Sequence, residues 1–405
     1  MSAQGRVDVD WAPRLSRRAA RQGDAEITAI LALAGAGGGM LTFSGGFPAP
    51  ETFATDVIAP LAAELVRSDP AVALQYSASE GVASVREYLR DRVAELDGVR
   101  PADGELMVTS GGIECMELVA RSLLDPGDAV VVESPTYLGA IMAFRGYEAD
   151  LHAVPMDDDG LCVDVLADRL RAGLRPKLVY VIPEHQNPTG LTLSVERRQA
   201  LVDLARAYGF CILEDVAYRE IDYEGAVLPS LWSLAPELVV QAGTFSKVFF
   251  PGVRLGWAAG PAELIAQLGV AKQNTDQCAG AFGQRLVEEY GRAGHFGPQL
   301  RKARALYAGR WALMDRALHE HMPPGCEWTR PRGGFFTWLR LPWAVDTTTL
   351  GAAATAARVA FVAGRPFYTD GRVSNEMRLA FSRMPEEMVD EGVRRLAAVV
   401  ATAAP

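Results

Sequence analysis

Cysteine is scarce in this sequence. Its 405 residues include five: Cys115, Cys162, Cys211, Cys278 and Cys326. None stands in a CxxC pair. An odd number of scattered thiols argues against a disulfide frame and against zinc, and fits reduced cysteine in a cytoplasmic protein. Positive charge is not in excess either. Against 40 Lys and Arg stand 50 Asp and Glu, a formal net charge of −10. An acidic surface repels phosphate backbones and anionic lipid, so no nucleic acid and no membrane is expected among the partners. No uninterrupted apolar stretch is long enough to span a bilayer. Residues 1–30 hold no continuous apolar segment, which argues against a secretory signal. There is no internal repeat, and the Ala-rich tract Gly351–Ala357 reads as helix or linker.

What is present is the composition of a globular protein, with 49% hydrophobic and 22% charged residues. The length suggests about two domains. The first stretch reads as an arm with one helix, Ala25–Ala34, ending in the glycine cluster Gly35–Gly39. Ser44–Phe53, SGGFPAPETF, is dense in Gly and Pro and must be a shaped loop. Beyond residue 80, short apolar runs alternate with helical stretches. The runs are Leu106–Thr109, Ala129–Val132, Leu178–Ile182, Phe210–Leu213 and Leu238–Ala242. Helical patterns cover Ile113–Leu124, Leu138–Gly146, Val163–Ala172 and Ser194–Tyr208. This alternation predicts an α/β fold around a mostly parallel sheet. Residues 279–320 read as one or two long helices. Strand-like runs follow at Phe335–Leu341, Val359–Val362 and Met377–Phe381, then a helix near Pro385–Ala401, which together suggest a smaller α+β domain.

Ligands of open α/β sheets gather at the carboxyl ends of the strands, so the residues after each run carry the chemistry. Ser110-Gly111-Gly112-Ile113 opens a helix, where small residues and free N–H groups suit an anion; a plain tight turn is the alternative. Tyr137 could stack on a flat ring or simply pack. Asn187, in QNPTG, is either turn chemistry or a hydrogen-bond donor into a site. Asp215 could cap a helix or aim a carboxylate at a buried cation. Lys247 lies among Phe245, Val248, Phe249 and Phe250. A lysine in apolar company is partly desolvated, which lowers its pKa and makes the amine nucleophilic. Thr244, Ser246 and Arg254 lie close by and can hold an anion.

Taken together these segments resemble fold-type I pyridoxal-phosphate (PLP) enzymes, the class I/II aminotransferases. Within that class they are similar to the group of 2-aminoadipate aminotransferases and the aminotransferase-like half of MocR-type regulators. The likeness rests on SGGFPAPETF, LQYSASEG, TSGGIE, ESPTYLGA, QNPTG, EDVAY, TFSKVFFPGVRLGW, RPRGGFF and NEMRLAFS, which span residues 43–382. It implies a large PLP-binding domain over 56–300 and a small α+β domain over 301–405, which the arm 1–55 joins. It also implies roles. Lys247 would carry pyridoxal 5'-phosphate as an imine. Asp215 would pair with the ring nitrogen, Asn187 and Tyr218 with the ring oxygen, and Tyr137 would stack on the ring. Gly111, Gly112 and Ile113, with Thr244, Ser246 and Arg254, would hold the phosphate. Tyr76 would reach the phosphate of a partner subunit, making the active unit a homodimer. Arg378 would grip the substrate α-carboxylate as a fork, with the Gly46 backbone beside it. Without the resemblance, Arg378 reads equally as an arginine snorkelling from a strand.

The implied reaction is ping-pong transfer of an amino group from an amino acid to a 2-oxo acid. Racemisation, elimination, decarboxylation and oxidation on the same scaffold are rivals, as is a non-catalytic effector-sensing domain. In aminoadipate-type relatives the first helix supplies a serine and an arginine to the substrate side chain. Here Ala25 and Thr28 align with them, and Asp24 and Glu26 lie close by. Either these acids point to a neutral or basic side chain, or they are ordinary first-turn residues favoured by the helix dipole. Glu184 and His185, before Asn187, either shape the pocket or support the turn.

Overall fold

The computed structural model describes residues 9–16, 18–19 and 39–404. The expected helix at 25–34, and with it Asp24, Ala25, Glu26 and Thr28, lies outside the described residues. So does the glycine cluster except Gly39.

Among the described residues, fourteen strands form three sheets. The first is β1 (Leu41–Thr42). Eight strands build the central sheet: β2 (Leu106–Thr109), β3 (Ala129–Ser134), β4 (Asp150–Asp157), β5 (Gly160–Leu161), β6 (Leu178–Val181), β7 (Cys211–Asp215), β8 (Val239–Thr244) and β9 (Gly256–Ala259). Their order is β2-β9-β8-β7-β6-β3-β4-β5. Neighbours are parallel except at β9 and β5. The remaining strands are β10 (Glu327–Trp328), β11 (Phe336–Arg340), β12 (Val359–Ala360), β13 (Val362–Ala363) and β14 (Glu376–Ala380). Of these, β10, β11, β14 and β13 make a small antiparallel sheet, while β12 pairs in parallel with β1.

The physical reason for the central sheet is plain in its strands. Val130, Val131 and Val132 are fully buried, as are Leu178, Val179, Tyr180 and Val181. Parallel strands covered by helices on both faces read as continuous apolar runs. The helices carry their own stop signals. Ser194 caps Val195–Tyr208 by accepting from the Arg197 N–H, and Gly209 ends that helix with φ 74°.

Among the strands of four residues or more, two escape a reading by apolar runs. β4 is interrupted by Asp150, His152 and Pro155, so it carries no such run. β9 is GWAA, too short and too small-sided to register. The run expected at Val359–Val362 is divided between two sheets, β12 and β13.

Apolar side chains gather in two large clusters. One surrounds the central sheet. The other joins Leu41 and Phe43 to the small sheet and to the helix Val389–Ala401. The long helix Phe296–His321 serves both: Leu300 and Tyr307 pack in the first, Met314 and Leu318 in the second. Among the described residues, no helix is long and apolar enough to cross a membrane.

Candidate active site

The carboxyl ends of β2, β3, β6, β7 and β8 open onto one cavity of about 290 Å³. Lys247, just past β8, sits on its wall. Its Nζ donates to the Gly46 carbonyl at 3.0 Å and lies 5.7 Å from the Tyr218 ring centre. Burial pushes the Lys247 amine down to about 8; the nearby Arg378 adds to this and Asp215 opposes it.

Asp215 ends β7. Strand alternation sends it and its neighbour Glu214 to opposite faces. Glu214 turns away from the cavity and accepts the Leu231 and Trp232 N–H groups at 2.7 and 3.0 Å, at the start of a short helix. Asp215 turns into the cavity. One of its oxygens accepts the Tyr180 hydroxyl at 2.9 Å and the other the Ala217 N–H at 3.1 Å. Burial raises Asp215 to about 6, against the pull of those two donors and of Lys247.

The anion-holding groups cluster at another wall. Helix Gly112–Leu123 points its N-terminus there, with Gly112 and Ile113 lining the cavity. Its first N–H groups have no partner within the helix. Thr244 Oγ1 donates to Ser246 Oγ at 3.0 Å, and Arg254 Nη1 reaches the same oxygen at 3.4 Å. Gly111 is not on the cavity wall. It takes φ 104°, and a Cβ there would stand 2.9 Å from Arg254 Nη2. Glycine is therefore what lets the arginine lie against the turn.

Arg378 comes from the small sheet, on β14, and is 5% exposed. It does not snorkel to solvent. Its guanidinium lies 4.4 Å from the Phe336 ring centre and 5.1 Å from that of Phe367. Nη1 donates to Asn187 Oδ1 at 2.9 Å and Nη2 to the Ser44 carbonyl at 2.6 Å, while the buried Nε has no partner. Burial lowers its pKa to about 10. Gly46 is pressed against Phe336, whose Cζ would be 2.4 Å from an added Cβ. Tyr137, Asn187 and Tyr218 complete the lining, and burial raises the hydroxyl pKa of both tyrosines.

The residues present fit PLP. An anion cradle, a carboxylate turned into the cavity and a desolvated lysine on its wall suit its phosphate, ring nitrogen and aldehyde. The partnerless Arg378 Nε is a cation with a donor to spare for a carboxylate. A mainly parallel sheet delivering these groups to one cavity, with a small antiparallel sheet beside it, is the arrangement of fold-type I enzymes. More narrowly, the chain belongs to the class I and II aminotransferases, whose family pattern matches residues 50–396. It is 37% identical over 397 residues to an aromatic-amino-acid aminotransferase 1 of Thermococcus litoralis, covering 97% of this chain and 95% of that one. A Pyrococcus horikoshii kynurenine aminotransferase, solved in complex with PMP, KYN as substrate and KYA as product, matches with TM-score 0.93 at 34% identity, over 98% of this chain and 99% of its own. An alpha-aminoadipate aminotransferase of Thermus thermophilus, complexed with N-(5'-phosphopyridoxyl)-L-leucine, matches with TM-score 0.90 at 35% identity, over 97% and 99%.

Besides Gly111, three residues named from the sequence do not line this cavity. Tyr76 is 80% exposed and away from it. Glu184 and His185 are buried behind the Asn187 turn and do not line it either. Glu184 accepts from Arg198 at 2.6 Å. His185 lies 3.6 Å from Asp222 and is pushed down to about 4 by burial, which keeps the ring neutral. Sequence reasoning missed Tyr180, Phe336 and Phe367. Tyr180 stands beside Leu213 in the register of β6 and β7, on the face that Asp215 shares. That pairing has no local signal. Phe336 falls within RPRGGFF, a segment whose place in the resemblance carries no role for this ring.

Proposed function

We propose that this aminotransferase moves the amino group of an L-amino acid with a neutral, bulky side chain to a 2-oxo acid, by a ping-pong sequence centred on Lys247. The observation that carries this reading is the convergence of Lys247, Asp215 and Arg378 on one cavity from two different sheets. Pyridoxal 5'-phosphate is the cofactor, and when bound it supplies an electron sink for negative charge at the substrate Cα.

The protein's own residues do the rest. Thr244, Ser246, Arg254 and the N-terminus of helix Gly112–Leu123 hold the phosphate. Asp215 would hold a proton on the ring nitrogen, Asn187 and Tyr218 would bind the ring oxygen, and Tyr137 would pack against the ring. Arg378 fixes the substrate carboxylate. With its amine lowered to about 8, Lys247 is neutral in about a tenth of molecules near pH 7. Neutral Nζ is the nucleophile, and once freed it takes the proton from the substrate Cα and later returns one.

Side-chain choice follows from the walls. Among the described residues, the charged groups lining the cavity are Asp215, Lys247, Arg254 and Arg378, all engaged above. Phe47, Leu138, Phe336 and Phe367 are among the apolar side chains of the lining. Such a surface favours aromatic or large aliphatic donors over acidic or basic ones. The relatives named for aromatic amino acids and kynurenine support the same choice. The active unit in this reading is a homodimer. Val72, Leu74 and Tyr76 are 40%, 60% and 80% exposed, an apolar patch suited to a partner.

The test is a spectral donor screen. Aromatic and large aliphatic amino acids should convert the bound cofactor stoichiometrically to its aminated form, and a 2-oxo acid should reverse it. Double-reciprocal plots should be parallel. Intersecting lines, or preferred conversion by lysine or arginine, would refute the proposal. Lys247→Ala should lose the visible absorbance of lysine-linked cofactor and at least about a thousandfold in kcat.

A further inference from the structure

An ionic cluster around a buried lysine, with one half-buried and one exposed carboxylate, lies next to the anion cradle without lining the cavity. Lys272, near the end of helix Ala262–Gln273, is fully buried. Its Nζ stands 2.8 and 2.7 Å from the two oxygens of Glu114, and 2.7 and 2.8 Å from those of Asp276. Both carboxylates in turn hold Ser110. Its N–H donates to Glu114 Oε2 at 2.5 Å and its hydroxyl to Asp276 Oδ2 at 2.6 Å. From the other side, Arg254 Nη2 donates to the Ser110 carbonyl at 3.3 Å. Ser110 is thus tied at three atoms. It immediately precedes Gly111, the left-handed residue at which the helix begins.

This cluster poses an electrostatic problem. Glu114 is in the first turn of the helix whose N-terminus must attract an anion. A carboxylate there is stabilised by the same dipole and competes with a phosphate for it. Two carboxylates against one ammonium leave one net negative charge; without the ammonium there would be two.

We propose that Lys272 is a positioning residue for the cofactor phosphate: by binding Glu114 and Asp276 it locks the Ser110–Gly112 turn and cancels charge that would repel a phosphate dianion. This rests on the reading that the turn holds that phosphate. Lys272 touches neither substrate nor cofactor; it acts through the turn.

The experiment measures dissociation constants of the apoenzyme for pyridoxal 5'-phosphate and for pyridoxal, which lacks the phosphate. Lys272→Met should weaken the phosphorylated ligand at least about tenfold and leave pyridoxal within about twofold. Adding Glu114→Gln to Lys272→Met should restore most of the loss, because the amide keeps the acceptor for Ser110 and removes one charge. Equal losses for both ligands, or no rescue in the double variant, would overturn the proposal. If Lys272→Met cannot be obtained folded, Glu114→Gln alone decides. It should tighten pyridoxal 5'-phosphate and not pyridoxal; an unchanged or weakened affinity overturns the proposal. A wild-type apoenzyme that binds the two ligands equally would instead refute the phosphate cradle itself.

Discussion

Asp215 depends on a residue two strand positions off its partner on the neighbouring strand. The Tyr180 hydroxyl, 2.9 Å from Asp215 Oδ2, stabilises the carboxylate as an anion. Removing it makes the carboxylate more basic, so with the cofactor held as proposed, a proton shared with the ring nitrogen would shift toward Asp215. Tyr180→Phe should therefore lower kcat about tenfold for every donor with little change in KM, an effect the size of one charge-assisted hydrogen bond. The nitrogen chemical shift of ring-labelled cofactor should move toward its unprotonated value. An unchanged shift with an unchanged kcat would reduce Tyr180 to packing.

At the scale of elements, one loop and a neighbouring strand of the small sheet meet at Phe336. The Gly46 segment presses on that ring from one side and Arg378 stacks on it from another. Gly46→Ala puts a methyl group where only 2.4 Å is free. The ring must move, and Arg378 loses its seat. KM should rise about tenfold for all donors alike, with cofactor affinity nearly unchanged, since the weakened interaction is with the carboxylate that every donor shares. A rise confined to one donor would place Gly46 at the side-chain subsite.

The Asn187 turn has a support of its own. Glu133, next to last in β3, accepts from Gln186 Nε2 at 3.0 Å, and Gln186 Oε1 accepts the Thr189 N–H and hydroxyl. Burial raises Glu133 to about 8 from an ordinary 4.5, with Gln186 and the Ile182 N–H opposing. The folded state thus holds a proton that the unfolded chain releases. This contribution is full below pH 4.5 and is lost as pH rises to about 8. Glu133→Gln should stabilise the apoenzyme by ~1–2 kcal/mol at pH 8 and by almost nothing at pH 4.5. Denaturant midpoints at the two pH values measure this, and equal effects at both would contradict it.

For the whole molecule, the cavity takes side chains from both the central and the small sheet. A cofactor bound there ties the two apolar clusters together and binds only the folded state. Removing it should lower the melting temperature by about 5–10 °C, and saturating pyridoxal 5'-phosphate should restore it. Phosphate alone should restore a small part at most. A cofactor-independent melting temperature would mean that binding is not coupled to folding.

Much of this was legible from local chemistry. Buried parallel strands announce themselves as apolar runs, and their carboxyl ends put Gly112, Tyr137, Asn187, Asp215 and Lys247 on one side of a sheet before any fold is known. β4 and β9 were not legible, because charged, proline or very small residues interrupt the apolar signal. What the sequence determined by itself is the α/β class and the residues at the strand ends, since these depend on spacing along the chain. Only the tertiary structure decided that Tyr180 supports Asp215 and that Arg378 is buried between two phenylalanines. Those outcomes rest on strand register and on contacts between residues far apart in the chain, which no local pattern records.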